Sequence, residues 1–413
     1  VSRTKAFVGF VSIALMTLPL GWRIVRHTAA DMLVGAPIEA LSWDAGDPRA
    51  LTALVRGELA AAVRSDNPAA AAARLLSVDP LSFEGLSLYG VALIRGGGNG
   101  ARIDEIFKAA AAHSALDRIA HVQLFFRAAT SGNSNDAFRE LDILARGSLD
   151  VMPSLARAVK VMIANDPNVE AALARLLASR PPWRQALLTY LCYVSGHSDV
   201  LARLYEQLRQ SAAPPTDAEM SPYLAQLVHA GHIEDAYLAW LGHLPEQRLS
   251  KVGAFYNGGF EHPMSDLPFD WRFIPVAGAS MEIASRERER VLVVRFYGAR
   301  VAFRHVVHLL ALAPGTYEFS GSVKLLNLEN ERGLRWKIVC SDSSEPLATT
   351  ELLTGTTPWL SLRARFTIAA EGCAGQWLVL EIPARAAVEA EVSGEARYKD
   401  LGIVRLDTSA ELR

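Results

Sequence analysis

The feature that most constrains this chain is a change of hydrophobic rhythm at Pro245. Before it, apolar residues recur with the helical period; beyond it they alternate with the period of a strand. The two patterns cannot share one kind of element, so the sequence predicts a multidomain protein, α then β. Its 413 residues are 50% hydrophobic and 21% charged, enough apolar material for two or three domains with cores of their own. With 42 basic against 44 acidic residues there is no concentrated basic footprint, and nucleic acid is not an expected partner.

Residues 48–246 are rich in Ala and Leu and carry Gly/Asn/Ser turns at Gly97, Gly132, Asn165, Gly196 and Gly231. Their spacings are 35, 33, 31 and 35 residues, and Ser65-Asp66-Asn67-Pro68 begins the series one unit earlier. Helical patterns flank each turn, for example 83–94 with 103–112 and 118–129 with 137–145. Gly and Asn suit the left-handed cap where a first helix stops. A helix pair at this period resembles the tetratricopeptide-repeat class, with Leu88-Tyr89-Gly90 and Ala137 as loose matches to its signature. The resemblance implies a right-handed α-solenoid of helix-turn-helix repeats whose groove holds protein partners. A divergent helical array serving as a spacer is the alternative.

Beyond Pro245, Tyr317, Phe319, Val323 and Leu325 alternate with Glu318, Ser320, Ser322 and Lys324. Similar rows are Leu334, Trp336, Ile338 and Cys340, and Leu378, Leu380 and Ile382. Eight or more short strands predict a C-terminal antiparallel β-sandwich over 252–407, followed by a tail at 408–413. Trp271 and Trp336 fall in phase with the core. Trp359 instead keeps step with Ser361, Arg363 and Arg365; Trp377 is out of phase with Leu378; Tyr297 lies with Arg295. Such outward aromatics beside arginines are the candidate saccharide surface: Trp359, Trp377, Tyr297, Arg295 and Arg363. Packing against the helical half is the competing use of the same side chains. Cys340 and Cys373 are the expected disulfide, and Cys192 a buried thiol in an apolar helix.

Four segments of this region, Asn257-Gly258-Gly259-Phe260-Glu261, Pro268-Phe269-Asp270-Trp271, Leu312-Ala313-Pro314-Gly315-Thr316-Tyr317 and Arg397-Tyr398-Lys399-Asp400-Leu401, resemble those of jelly-roll carbohydrate-binding modules of the galactose-binding-like, family 4/9 type. That resemblance implies a structural calcium at Glu261 and Asp400, although Lys399 stands where the family often has a second Asp. No other cofactor is expected.

At the amino terminus, residues 6–22 (AFVGFVSIALMTLPLGW) are uncharged between Arg3 and Lys5 on one side and Arg23 and Arg26 on the other. They predict a signal-anchor over 1–30 and a linker over 31–47, hence a single-pass bacterial inner-membrane protein with its bulk in the periplasm. Secretion after signal cleavage is the alternative. Gly96-Gly97-Gly98-Asn99-Gly100 lacks a following Lys-Ser/Thr pair and reads as a helix stop rather than a phosphate cradle. Nucleophile-elbow, zinc and paired-carboxylate patterns are not found. The expected function is a non-catalytic envelope scaffold, with repeats holding partners and a sandwich contacting polysaccharide in surface-glycan assembly or export. The alternatives are a pure adaptor and, further off, a carbohydrate-active enzyme.

Overall fold

The computed structural model describes residues 2–60, 68–195, 199–286 and 289–406, with backbone alone for 2–16 and 286. The expected turns at residues 65–67 and 196–197, the charged pair 287–288 and the tail 408–413 lie outside the described residues. The chain is helical in its amino-terminal half, and two antiparallel sheets come after it. By internal contacts it divides into two units: residues 1–176 with 181–183, and residues 177–180 with 184–413.

The first unit begins with α1 (Ser2–Met32) and α2 (Pro37–Trp43). Helix pairs come next: α3 (Pro48–Ala60) with α4 (Pro68–Val78), α5 (Phe83–Arg95) with α6 (Gly100–His113), α7 (Arg118–Thr130) with α8 (Ser134–Gly147), and α9 (Met152–Asn165) with α10 (Pro167–Ala178). Polar caps set the starts: Ser82, Asn99, Asp117 and Asn133 each accept a backbone N–H of the turn they precede. Gly90 lets α5 and α6 close together, because a Cβ there would meet the Phe107 ring at 2.7 Å. First helices also pack on the next first helix, α3 on α5, α5 on α7 and α7 on α9.

The membrane expectation is corrected here. Among the described residues no helix is long and apolar enough to cross a membrane, so the single-pass inner-membrane placement is withdrawn, and with it the membrane as a partner. Side chains of the apolar run before residue 17 lie outside the described residues. The later turns of α1 carry charge and are tied to protein. Arg26 Nε donates to the Trp43 carbonyl at 2.7 Å, and His27 Nδ1 lies 3.0 Å from Asp44. Ala30 is buried in one cluster with Ala40 and Ala50. The expected linker over 31–47 contains α2.

The second unit opens with α11 (Arg184–Ser195), α12 (Asp199–Arg209), α13 (Asp217–His229), α14 (Ile233–His243) and α15 (Glu246–Leu249). A capping box at Thr216 and Glu219 starts α13 well before the apolar spacing does. Cys192 is 1% exposed beside the Tyr205 hydroxyl, and burial pushes its thiol up to about 11.

The strands are β1 (Trp271–Phe273), β2 (Ala279–Arg286), β3 (Glu289–Arg300), β4 (Val306–Leu310), β5 (Gly315–Glu329), β6 (Arg335–Cys340), β7 (Pro346–Thr349), β8 (Gly355–Ile368), β9 (Gln376–Glu381) and β10 (Glu391–Arg405). They form two five-stranded sheets, β1-β4-β9-β6-β7 and β2-β3-β10-β5-β8. Alternate residues of both enter one core: Trp336 of the first sheet meets Phe319 and Tyr398 of the second at ring distances of 5.8 and 5.4 Å. Trp271 and Trp336 are buried in it. Cys340 and Cys373 are joined, with Cα atoms 5.2 Å apart.

Candidate functional site

The four sequence segments that resemble carbohydrate-binding modules all have structural work in this fold. Asn257, at a φ of 55°, folds the chain back: its Nδ2 donates to the His262 carbonyl and to Asp270, and its Oδ1 accepts from His262 N–H. Trp271 Nε1 donates to the Asn257 carbonyl at 2.9 Å. Asp270 is 1% exposed, and its oxygens also accept from Trp271 N–H and from the Ser265 N–H and hydroxyl. A buried carboxylate with this many donors is satisfied and is a latch rather than a reactive group. Gly258 lies under the closing strand, where a side chain would overlap the Leu401 carbonyl oxygen. Tyr317 closes its turn by donating to the Ala313 carbonyl at 2.8 Å, and Tyr398 and Leu401 are core.

Glu261 and Asp400 do come from segments brought together at Gly258 and Leu401. The fit to calcium is poor. The Asp400 side chain is 72% exposed with the Lys399 ammonium 3.9 Å away. Among the described residues no group of three His, Cys, Asp or Glu gathers anywhere. Calcium takes six to eight oxygens, and two carboxylates beside a cation do not approach that set.

Four of the five expected saccharide residues share one surface, the outer face of the β2-β3-β10-β5-β8 sheet. Trp359 and Arg363 are on β8 with Ser361 between them, and Arg295 and Tyr297 are on β3. Two strands separate β8 from β3, roughly 14 Å at ~4.8 Å per strand, and the register staggers the residues further: Arg363 is level with Ser320 of β5, and Tyr297 with Glu329. Trp359 is half-buried, with the Lys399 ammonium 4.9 Å from its ring centroid. Lys399 also reaches Glu289, so the ring is held rather than free. Tyr297 is 61% exposed and shares a hydrogen bond with the Ser280 hydroxyl at 2.7 Å.

The fifth residue, Trp377, is on the other sheet. It pairs in register with Leu309 and Val339, and neighbouring Gly375 lies against Ile233 of α14. Alternation tells inside from outside correctly for both tryptophans. It cannot tell one outer face from the other, because strand order is a tertiary property.

Sequence reasoning missed the charged centre of the face. Glu395, on β10 between β3 and β5, accepts twice from Arg295, at 2.9 and 2.7 Å, and from Arg397 Nε at 2.6 Å. Burial alone would raise this carboxyl, but the hydrogen bonds from Arg397 and Arg295 outweigh it and hold it below its ordinary value. Ser322 on β5 stands opposite both Lys399 and Ser361. Toward the far end of β8, Arg365 pairs with Glu318 at 2.8 Å, and Arg363 lies 3.7 Å from the same carboxylate. The alternating Glu395, Arg397 and Lys399 were a legible signal of one polar face. The face therefore offers a ring, hydroxyls and planar charged groups.

No protein-family model matches the chain. No curated protein matches it either. Among solved structures it is similar to one titled "CBM4 structure and function", at 14% identity and a TM-score of 0.29, over 37% of this chain and 99% of that one. It is also similar to a xylan-binding domain from Paenibacillus barcinonensis, at 13% identity and a TM-score of 0.24, over 34% of this chain and 87% of that one. A third is a cyclase from Fischerella, at 13% identity and a TM-score of 0.23, over 37% of this chain and 98% of that one. Carbohydrate-binding modules are thus among the structures similar to the sandwich region. At these scores the likenesses carry no argument about a ligand.

Proposed function

We propose that the protein binds saccharide, without catalysis, on the outer face of the β2-β3-β10-β5-β8 sheet, while its helical half, as a repeat array, holds a protein partner. The observation that supports the first part is Trp359. Its ring is half-buried, in contact with Lys399, and on the same face as Ser361 and Arg363. A sugar ring presents C–H groups to an aromatic face and hydroxyls to neighbouring polar groups, and this face supplies both. The helical part rests on the regular starts of the first helices, Pro48, Phe83, Arg118 and Met152 within the first unit, 34 or 35 residues apart.

The test is glycan-array binding followed by calorimetric titration of the full chain against the best glycan. Trp359→Ala is expected to weaken binding at least ~10-fold, the order of one lost stacking contact. Trp377→Ala, on the other sheet, is expected to leave it unchanged. Binding indifferent to Trp359→Ala would remove the sugar face, and no binding to any glycan would leave a protein adaptor with a structural sandwich.

A further inference from the structure

Beyond Trp359, the outer face of β8 carries more positive charge than its neighbours cancel. Ser361, Arg363, Arg365 and Thr367 continue outward, while Leu362, Ala364 and Phe366 enter the core. Their partners in register on β5 are Ser322 for Ser361, Ser320 for Arg363, Glu318 for Arg365 and Thr316 for Thr367. From Ser361 to Thr367, Glu318 is thus the one carboxylate of this two-stranded ribbon among the described residues. On β10, Gly402 is level with Ser320 and Val404 with Glu318, so the third strand brings no charge at either level.

Both guanidiniums lean on Glu318. Arg365 Nε donates to it at 2.8 Å, whereas Arg363 lies 3.7 Å away, beyond hydrogen-bond distance. The Glu318 side chain is 14% exposed, against 71% for Arg363 and 72% for Arg365, so water meets the cations and the anion lies beneath them. The hydrogen bond from Arg365 holds the Glu318 carboxyl below its ordinary value; it stays charged and cancels one of the two positive charges. A guanidinium offers five N–H donors in a planar fork that matches a carboxylate, and of these two forks a single donor is used within the described residues. Nearer Trp359 the charge is already closed, because Lys399 reaches Glu289 and lies 3.9 Å from Asp400.

There is room beside Arg363. Ser320 is short, and a Cβ at Gly402 would meet nothing within 4 Å. Four residues of strand set Arg363 roughly 13 Å from Trp359, farther than one sugar ring reaches. Ring and guanidinium would therefore meet different sugars of one chain.

We propose that the saccharide bound on this face is a polyuronate, whose carboxylates dock on Arg363 and Arg365 while a sugar further along the chain lies on Trp359. The hydroxyls of Ser320, Ser322 and Ser361 between them meet sugar hydroxyls. This rests on the sugar face proposed above and narrows its ligand. An acidic peptide would share the charge, but not the match of its ring and hydroxyls to Trp359 and three serines.

Calorimetric titration of the full chain compares oligogalacturonate, oligomannuronate and oligoguluronate, each beside its carboxyl-reduced neutral counterpart. The best uronate should bind at least ~10-fold more tightly than its counterpart and lose that advantage as salt is raised. Arg363→Gln should erase the preference, since Glu318 then cancels Arg365. Glu318→Gln, which frees both guanidiniums, should strengthen uronate binding. Arg157→Gln, at an exposed position of the first unit, should change nothing. Equal binding of the neutral counterpart, or a preference that survives Arg363→Gln, would overturn the acidic ligand and leave the sugar face standing. Dextran sulfate or an oligothymidylate bound as tightly as the uronate would reduce the site to bare charge and overturn it as well. If neither uronates nor their neutral counterparts bind, the sugar face itself falls and this inference with it.

Discussion

The two sheets of the sandwich obey the same alternation, yet their outer faces differ. On β1-β4-β9-β6-β7 the outward residues Val307, Leu309 and Val339 are 9%, 1% and 8% exposed, while Arg335, Lys337 and Glu381 on the same face form ion pairs. Helix α14 approaches that sheet: Ile233 lies against Gly375, and Tyr237 and Trp240 pack on Phe269. On β2-β3-β10-β5-β8 the outward residues include Arg295, Glu395 and Arg397, joined by ion pairs, and Ser322, Ser361 and Arg363, with Val291 and Val293 buried among them at 1% exposure each. Outward apolar residues are thus covered in different ways, near α14 on the first sheet and among charged side chains on the second. Trp377 and Trp359 are both half-buried, and the sheet each is on separates them.

The contrast is sharpest if a charge is placed on each face. Leu309→Asp should destabilise the protein by at least ~3 kcal/mol, since it buries an unpaired carboxylate. Ser320→Asp, outward on β5 and opposite Arg363, should stay within ~0.5 kcal/mol. Urea denaturation of both variants measures this, and equal losses would erase the distinction between the faces.

Acid should affect the covered sheet next. His308 on β4 is 2% exposed, with Nδ1 2.9 Å from the Leu309 carbonyl and Nε2 3.1 Å from the Tyr256 carbonyl. Burial pushes its pKa down to about 4, against the pull of the Asp270 charge and of those carbonyls. The unfolded chain takes up this proton near the ordinary value of about 6.5, the folded one only near 4, so stability falls as pH drops through that window. The loss should approach ~3 kcal/mol by pH 4 and should be smaller in His308→Gln, as read from denaturation midpoints between pH 7 and pH 4.

The smallest effect belongs to the open face. Glu395→Gln removes the charge that Arg295 and Arg397 share, for about 1–2 kcal/mol. Because the folded carboxyl lies below its ordinary value, its contribution is present at neutral pH. It fades as acid protonates Glu395, below the usual glutamate value of about 4.3. Thermal unfolding of Glu395→Gln and of the unsubstituted protein should therefore converge at low pH.

Much of the architecture is legible because it is local. Caps at Asn99 and Asn133 sit at the expected turns, and α5 through α8 occupy the segments their periodicity marks. The same holds for Trp271 and Trp336, whose phase places them inside. The start of α13 escapes apolar spacing although its capping box, Thr216 to Glu219, is in the sequence, because the signal there is polar. The apolar run at the amino terminus reads as an anchor. Arg26 and His27, which α1 uses to hold Trp43 and Asp44, reach residues 17 or more positions away, and composition is blind to that.

The periods of the sequence by themselves determined that helices come first and strands second, and which side of each element is apolar, since both are set by neighbours a few residues apart. Tertiary structure alone decided which strands lie side by side, and so that Glu395 joins Arg295 across 100 residues while Trp377 and Trp359 part company. It also decided which apolar faces are covered and which charges in the helical half find partners, leaving Lys108 without one among the described residues. Partner choice is settled by packing between distant segments, and local pattern carries no record of it.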